Sequence, residues 1–235
     1  MSSDARSFRV SVDFLSKSYV AITGGALVAS FVCTSALHYK HAVQNSLFEY
    51  PEEYLFTLEA SRRWYPERSL FQLLSAIALG PRLAITSIWH TGLKGSGDLF
   101  SLNLAWIAVA RSLMWILYTF IPSSDDDDLH DICTILYVAL TTGWMAGIGR
   151  RMQVYKSKEF VMVFVACFFA LSHCYIQYTM RQVAGAHSLY ALFQWVLMGI
   201  DLAFDWISTK SLWSLDITIN CPNLAPLSKK FLSHV

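Results

Sequence analysis

Charged side chains are scarce in this chain of 235 residues. Lys, Arg, Asp and Glu together make up 15% of it, whereas a typical soluble domain has about 25%. The net charge of +1 provides no basic surface of the kind that binds nucleic acid. Hydrophobic residues make up 54% of the chain, which indicates a membrane protein rather than a soluble globular domain.

Common signatures of enzymes and metal sites are also missing. The sequence has no Gly-x-Ser-x-Gly elbow, no His-Glu-x-x-His pair and no Gly-rich phosphate-binding loop. The His-x4-Asp pattern of many glycerolipid acyltransferases is absent as well. The five cysteines show neither Cys-x-x-Cys pairs nor a Cys/His zinc spacing. We therefore expect no metal ion and no cofactor, and the sequence leaves open whether the chain is an enzyme.

Six long apolar stretches are the dominant feature. Each is close to the roughly 20 residues that a helix needs to cross a bilayer, and none alternates as the strands of a membrane barrel do. The pattern predicts an all-α polytopic membrane bundle of about six transmembrane helices, built as a single domain over residues 1–235. The predicted spans are 18–38, 69–91, 99–121, 129–149, 159–180 and 187–208.

Lys and Arg are distributed unevenly between the two ends of this predicted bundle. The side that holds both termini carries eleven of them, and the opposite side carries five. Because positive loops stay in the cytosol, we expect the N- and C-termini to be cytosolic. Residues 209–235 then form a cytosolic tail, and the connections on the other side face a lumen.

The connection over residues 38–68 stands out by its length. Loops of this size are usually functional or disordered, and its many aromatic residues with few Gly or Ser argue against disorder. We interpret it as an ordered lumenal cap loop whose aromatic rings lie at the level of the lipid headgroups. A passive interfacial loop is the alternative.

Four charged residues lie away from the ends of the predicted spans, namely Arg82, Arg111, Asp201 and Asp205. A charge at the bilayer centre is costly, so each should face the bundle interior with a partner. Arg82 and Asp201 lie at similar depths, which predicts a structural ion pair between them. Arg111 has no evident carboxylate at its level and is a candidate to meet an anion such as a lipid phosphate. Alternatively, both arginines are structural.

Histidines gather near the lumenal ends of the predicted spans. His130 begins the fourth span, and His173 lies in the lumenal half of the fifth. Either could serve as a general acid or base. Their spacing does not specify a metal site, and a histidine at a span entrance more often has a hydrogen-bonding role.

Several sequence blocks resemble one family of membrane proteins. The blocks are Glu49-Tyr50-Pro51-Glu52-Glu53-Tyr54, Trp64-Tyr65-Pro66-Glu67-Arg68-Ser69-Leu70-Phe71-Gln72, Gly80-Pro81-Arg82, His130-Asp131-Ile132, Ser188-Leu189-Tyr190-Ala191-Leu192-Phe193-Gln194-Trp195 and Asp201-Leu202-Ala203-Phe204. In this order they resemble the post-GPI-attachment-to-proteins factor two family, which is grouped with the Frag proteins and the calcofluor-white-hypersensitive N-terminal domain. Two departures are Gln194, where an acidic residue is expected, and the Asp run at 125–128, which expands a single acidic position.

The resemblance implies a role in remodelling the lipid of glycosylphosphatidylinositol (GPI) anchors in the Golgi or endoplasmic reticulum membrane. The implied partners are GPI-anchored proteins and membrane lipids, with another membrane remodelling enzyme as a further candidate. The implied activity is a fatty-acid or ceramide exchange or reacylation step, such as that of an acyltransferase. Two alternatives are a non-catalytic subunit of such an enzyme and a regulator of lipid asymmetry and trafficking similar to the autophagy-modulator and Sfk branch.

These considerations together give an expected site. We expect His130 and His173 to be catalytic, and we expect substrate to be bound by Glu67, Arg68, Arg111 and Asp131. A site that joins Arg68, His130, His173 and Arg111 would reach both a lumenal phosphate and the acyl chains below it.

Overall fold

Six helices that are long and apolar enough to cross a membrane form the body of the protein. The computed structural model describes residues 7–44, 48–154, 156–213 and 215–220. At a rise of 1.5 Å per residue, helices of 22 to 28 residues span the roughly 30 Å hydrocarbon layer. The described elements are β1 (Ser7–Ser11), α1 (Val12–Leu37), α2 (Tyr39–Val43), a 3-10 turn (Ala60–Arg62), α3 (Glu67–Lys94), α4 (Leu99–Phe120), α5 (Asp127–Met152), α6 (Ser157–Thr179), α7 (Ala186–Thr209), a second 3-10 turn (Lys210–Leu212) and β2 (Asp216–Asn220).

The predicted all-α bundle of six spans is confirmed. Along the bundle, α1 packs on α3, α3 on α4, α4 on α5, and α6 on α7, while α7 closes the ring against α1 and α5. Large apolar side chains are exposed on the outer faces of these helices. Such a surface suits contact with lipid, where every backbone polar group is satisfied inside its own helix.

Short polar side chains fix where several helices begin. Ser11 accepts a hydrogen bond from the amide of Phe14 at the start of α1, and Asp98 accepts one from Ser101 at the start of α4. Asp126 does the same for Leu129 at the start of α5. These oxygens satisfy amide groups that have no partner within the first helical turn. The acidic run at 125–128 thus supplies a helix cap and favourable charge at the positive end of α5.

A two-stranded sheet joins the two ends of the described chain. Strand β1 pairs antiparallel with β2, with Ser11 opposite Asp216 and Ser7 opposite Asn220, and the amide of Val12 donates to Leu215 at 3.2 Å. The sheet lies at the end of the bundle where the described part of the chain begins and ends, here called the terminal end. The predicted tail 209–235 therefore contains the second 3-10 turn and β2, while residue 214 and residues 221–235 lie outside the described part.

The opposite end, here called the cap end, carries the long connection between α1 and α3. Its described residues from 48 to 66, here called the cap segment, pack over the ends of the helices. Phe56 and Leu58 of this segment are fully buried. Leu58 belongs to a small apolar cluster with Leu27, Phe71 and Tyr118. The cap segment is therefore part of the core.

Candidate functional site

Hydrogen bonds to the start of α7 hold the cap segment in place. Glu53 is completely buried, and its carboxylate accepts bonds from the amides of Gly185 and Ser188 at 3.1 and 2.8 Å and from the Ser188 hydroxyl at 2.6 Å. The Ser188 hydroxyl oxygen in turn accepts the amides of Tyr54 and Leu55. Charge-assisted bonds of this kind are about twice as strong as neutral ones. Glu53 therefore anchors the cap to α7.

A second set of bonds extends this attachment down α7. Gln194 accepts the amide of Leu58 at 3.1 Å, and the indole N–H of Trp195 donates to the carbonyl of Phe56 at 3.0 Å. The amide group of Gln194 also donates to the Tyr190 hydroxyl. Position 194 needs an acceptor for Leu58 and a donor for Tyr190. A neutral Gln supplies both, which gives a structural reason for its presence where an acidic residue was expected.

The cap segment covers a polar cavity of about 780 Å³ at the cap end, here called the cap cavity. Its walls come from the cap segment, the start of α5, the end of α6 and the start of α7. It is lined by His41, Ala42, Gln44, Thr57, Glu59, Ala60, Arg62, Arg63, Trp64, Pro122, Ser123, Ser124, Asp127, Asp131, Tyr175, Tyr178, Thr179, His187 and Tyr190. Charged groups of both signs therefore face one space.

Glu59, which lines the cap cavity, forms an ion pair with His130. Nε2 of His130 lies 3.2 Å from the Glu59 carboxylate, and Nδ1 lies 2.7 Å from the carbonyl oxygen of Ile121. Burial raises the pKa of Glu59, but the contact with His130 and the positive charge of Arg62 outweigh it, so this pKa lies below its ordinary value. His130 itself is fully buried. Glu59, rather than His130, therefore presents the charge to a ligand.

An apolar groove of about 490 Å³ runs from the cap cavity into the membrane-spanning region between α5, α6 and α7. Glu59, Asp131, Tyr175 and Tyr190 line both spaces, so the groove and the cap cavity meet. The groove is lined by Leu58, Glu59, Tyr118, Asp131, Thr134, Ile135, Tyr137, Val138, Phe164, Phe168, Leu171, Ser172, Tyr175, Ile176, Tyr190, Gln194, Leu197, Met198 and Asp201.

The groove is also open to the side. Ile135 and Ile176, from the two helices that flank it, are largely exposed on the outer surface of the bundle. A hydrocarbon chain could therefore enter it from the bilayer.

A buried charge cluster lies at the inner end of the groove. The Arg111 guanidinium donates to Asp201, to both oxygens of Asp205 at 2.9 and 3.0 Å, and to the hydroxyl of Thr141 at 3.0 Å. The hydroxyl of Tyr137 donates to the second oxygen of Asp201. All these side chains are buried, so the cluster satisfies its charges internally, as an intramembrane charge requires.

The predicted ion pair Arg82–Asp201 requires correction. Asp201 pairs with Arg111, while Arg82 donates to the hydroxyl of Tyr19 and lies 3.9 Å from Asp205. The expectation that Arg111 has no carboxylate at its level is wrong, since Asp201 and Asp205 both pair with it. Depth alone did not decide the pairing, because the rotation of α7 points both of its carboxylates at Arg111.

The other predicted site residues are dispersed. Arg68 forms a partly exposed pair with Asp125 at 2.6 Å, and buried Glu67 bonds Nδ1 of His38 at 2.6 Å. His173 lies on an exposed face of α6, with Nε2 3.2 Å from the side chain of Gln177. None of these three predicted residues lines either of the described spaces. The structure therefore does not join Arg68, His130, His173 and Arg111 in one site, whereas Asp131 lies where the two spaces meet.

Sequence reasoning missed Glu59 and Arg62. Both lie in the predicted cap loop, but neither belongs to the sequence blocks that carry the family resemblance. Their positions become informative only once the 3-10 turn at Ala60–Arg62 is placed against α3 and α4. The excess of aromatic and charged residues in the cap loop was the only available signal.

Comparisons with known proteins identify the family of the chain. The family described as "Frag1/DRAM/Sfk1/Cwh43P N-terminal domain" matches residues 12–215. Protein cwh43 of Schizosaccharomyces pombe is 32% identical over 174 residues, which are 72% of this chain but 18% of that protein. Post-GPI attachment to proteins factor 2 of Caenorhabditis elegans is 26% identical over 208 residues, 76% of this chain and 78% of that protein. The same-named protein of Caenorhabditis briggsae is 26% identical over 154 residues, covering 55% and 59% of the two chains. No solved structure matches significantly.

Proposed function

Because the chain belongs to the Frag1/DRAM/Sfk1/Cwh43 N-terminal domain family, we propose that it acts in remodelling the lipid of GPI anchors. The printed name of the two Caenorhabditis relatives refers to GPI attachment to proteins. The chain corresponds to less than a fifth of the length of the fission yeast relative. The step proposed here is therefore assigned only to the domain in hand.

The observation that carries the proposal is the junction of the cap cavity with the groove. A membrane lipid has a polar headgroup joined to hydrocarbon chains, and this site offers a polar space of about 780 Å³ joined to an apolar one of about 490 Å³. Ligand sites are usually mostly apolar clefts with a few polar groups that fix orientation. The headgroup would lie in the cap cavity beneath the cap segment, and one acyl chain would lie in the groove.

Orientation and compartment follow from this proposal. The cap end would face the lumen of the endoplasmic reticulum or Golgi, where a GPI headgroup lies, and both termini would be cytosolic. The excess of Lys and Arg at the terminal end supports that orientation. The groove would then open into the lumenal leaflet, which holds the chains of the anchor.

Glu59 and Asp131 are the residues at the junction that would contact the lipid. With its pKa lowered, Glu59 stays ionised at neutral pH and is suited to accept hydrogen bonds from headgroup hydroxyls or ammonium groups. A carboxylate with a low pKa is a weak proton acceptor. His130 would position Glu59 through the 3.2 Å ion pair, instead of acting on substrate as the sequence suggested.

Because Glu59 is a weak proton acceptor, the site also favours a second candidate function, that of a non-catalytic subunit that presents the lipid. Such a subunit would bind and orient the anchor lipid while a partner enzyme transfers the acyl group. Purified chain that binds the lipid but remodels it only after a second membrane protein is added would support the candidate. Remodelling by the purified chain alone would exclude it.

Filling the groove tests the proposal. Ser172 lines the groove on α6, and Ser172→Phe should block an acyl chain there. Ala166→Phe, on an exposed face of the same helix, is the matched control with the same added side chain. Cells that lack the gene would be complemented with each variant, and the lipid on released GPI-anchored proteins would be analysed by mass spectrometry.

The proposal predicts unremodelled or lyso anchors with Ser172→Phe and native anchors with Ala166→Phe, at equal expression of the two variants. Native anchor lipids in the deletion strain itself would contradict the proposed function. They would instead favour the trafficking-regulator alternative.

A further inference from the structure

Arg62 is a buried charge with unused hydrogen-bonding capacity. Its side chain is 4% exposed, and the guanidinium lies between the rings of Phe71 and Tyr118, with centroids 4.9 and 4.8 Å away. Nε donates to the carbonyl of Leu58 at 3.2 Å. Both terminal nitrogens lack a hydrogen-bond partner among the residues that the structure describes. A buried charged group without its hydrogen bonds is costly, so a fold retains one only for a reason.

His187 has the same property on another wall of the cap cavity. It is 8% exposed and packs against the ring of Tyr178 at 4.9 Å, and its Nδ1 has no hydrogen-bond partner in the described part of the chain. The nearby amides of Gly185 and Ser188 are occupied by Glu53. The side chain of His187, rather than the amides at the start of α7, is therefore the group available to a ligand.

We propose that Arg62 and His187 bind the phosphate of a phosphodiester lipid whose acyl chain lies in the groove. Both residues line the cap cavity, and Glu59, which shares that wall, pairs with His130 instead of Arg62. A planar guanidinium fixed between two rings presents its terminal donors in the fork geometry that suits phosphate oxygens. This inference rests on the proposed function, since it assumes a lipid in the joined cavity and groove.

The acidic residues of the cap cavity should make the site selective for lipids with a less negative headgroup. Asp127, Asp131 and Glu59 line the same space as Arg62, and like charges at short range repel strongly where water is partly excluded. A phosphodiester carries one negative charge, whereas a phosphomonoester carries up to two. The site should therefore prefer phosphatidylinositol to phosphatidic acid, although a purely basic pocket would prefer the more highly charged lipid.

Arg62→Met distinguishes a binding role from a structural one. Methionine keeps much of the bulk between the two rings and removes the unpaired charge, so the lipid-free protein should be as stable as the native protein or more so. The purified full chain in detergent would be titrated with phosphatidylinositol, with phosphatidic acid and with inorganic phosphate, and binding would be followed by the thermal shift. We expect Arg62→Met to weaken phosphatidylinositol binding by about tenfold or more, the loss typical of a charged hydrogen bond.

Two further variants serve as a control and as a second test of the phosphate site. Arg151→Gln removes a positive charge at the terminal end, where Arg151 pairs with Asp98, and should leave lipid binding unchanged. His187→Gln is the second test if Arg62→Met does not fold, and it should also weaken phosphatidylinositol binding.

Unchanged phosphatidylinositol affinity in the folded variant, or tighter binding of phosphatidic acid than of phosphatidylinositol by the native protein, would overturn the inference. Displacement of phosphatidylinositol by millimolar inorganic phosphate would assign the site to a free anion and overturn the lipid assignment. If these tests fail while Ser172→Phe still abolishes lipid binding, the proposed function stands without this phosphate site.

Discussion

Removing Arg111 should destabilise the protein far more than removing a surface arginine. Arg111 bonds two carboxylates that are both buried, Asp201 and Asp205. Arg111→Met leaves these two negative charges inside the bundle, where Arg82 lies 3.9 Å from Asp205. Breaking a buried pair from one side costs about 3–5 kcal/mol, and we expect this range for the loss in free energy of unfolding.

Arg68→Met is the matched control, since it removes the same group from a partly exposed pair with Asp125. Exposed pairs contribute about 0–1 kcal/mol. Both variants would be unfolded reversibly by SDS in mixed micelles and followed by circular dichroism. A double-mutant cycle with Asp201→Asn should give a larger coupling to Arg111 than to Arg82. A cost for Arg111→Met no larger than that for Arg68→Met, or a stronger coupling of Asp201 to Arg82, would refute the assigned pairing.

Three further predictions concern the cap. Glu53→Gln should lower the free energy of unfolding by about 1.5–3 kcal/mol through loss of charged hydrogen bonds, and it should speed amide hydrogen exchange in the cap segment. Unchanged exchange in that segment would contradict the anchoring role of Glu53. The pKa of Glu59 is lowered in the folded protein. Its stabilising contribution is therefore present above the ordinary glutamate pKa of about 4.3 and is lost as the pH falls through the lowered pKa. Glu59→Gln should remove that part of the acid sensitivity, and pH–stability curves identical to those of the native protein would argue against the ion pair. Gly185 has a φ of 78°, so Gly185→Ala should lower the free energy of unfolding by about 1–2 kcal/mol, and Gly185→Asn should lower it less. Equal melting temperatures for the two variants would contradict this ranking.

The six spans could be predicted because their signal is local. Each apolar run is continuous in sequence, and the helix ends differ mainly where polar residues extend a helix beyond the apolar run. The first helix begins at Val12 instead of residue 18, since Ser11 caps it and the i, i+4 pair of Asp13 and Lys17 supports its first turns. The sheet of β1 and β2 was not predicted, because it joins segments about two hundred residues apart.

The candidate site was harder to predict because it depends on the relative rotation of the helices. Sequence reasoning singled out Asp131 and His130, since both lie in a recognisable block, but it did not predict that His130 pairs with Glu59. Depth placed Arg82 and Asp201 at similar levels and Arg111 deeper, and it could not say which helix faces meet. The role of Arg62 depends on two rings from different helices that enclose it, which no spacing in the sequence reveals.

The central claim is that one lipid occupies the joined cap cavity and groove. Photo-crosslinking with phosphatidylinositol that carries a diazirine near the end of its acyl chain tests this most directly, with the modified peptides identified by mass spectrometry. The account predicts crosslinks on groove residues such as Phe168, Leu171 and Leu197, and their loss in Ser172→Phe but not in Ala166→Phe. Crosslinks confined to the outer faces of the bundle, and equal in both variants, would contradict it.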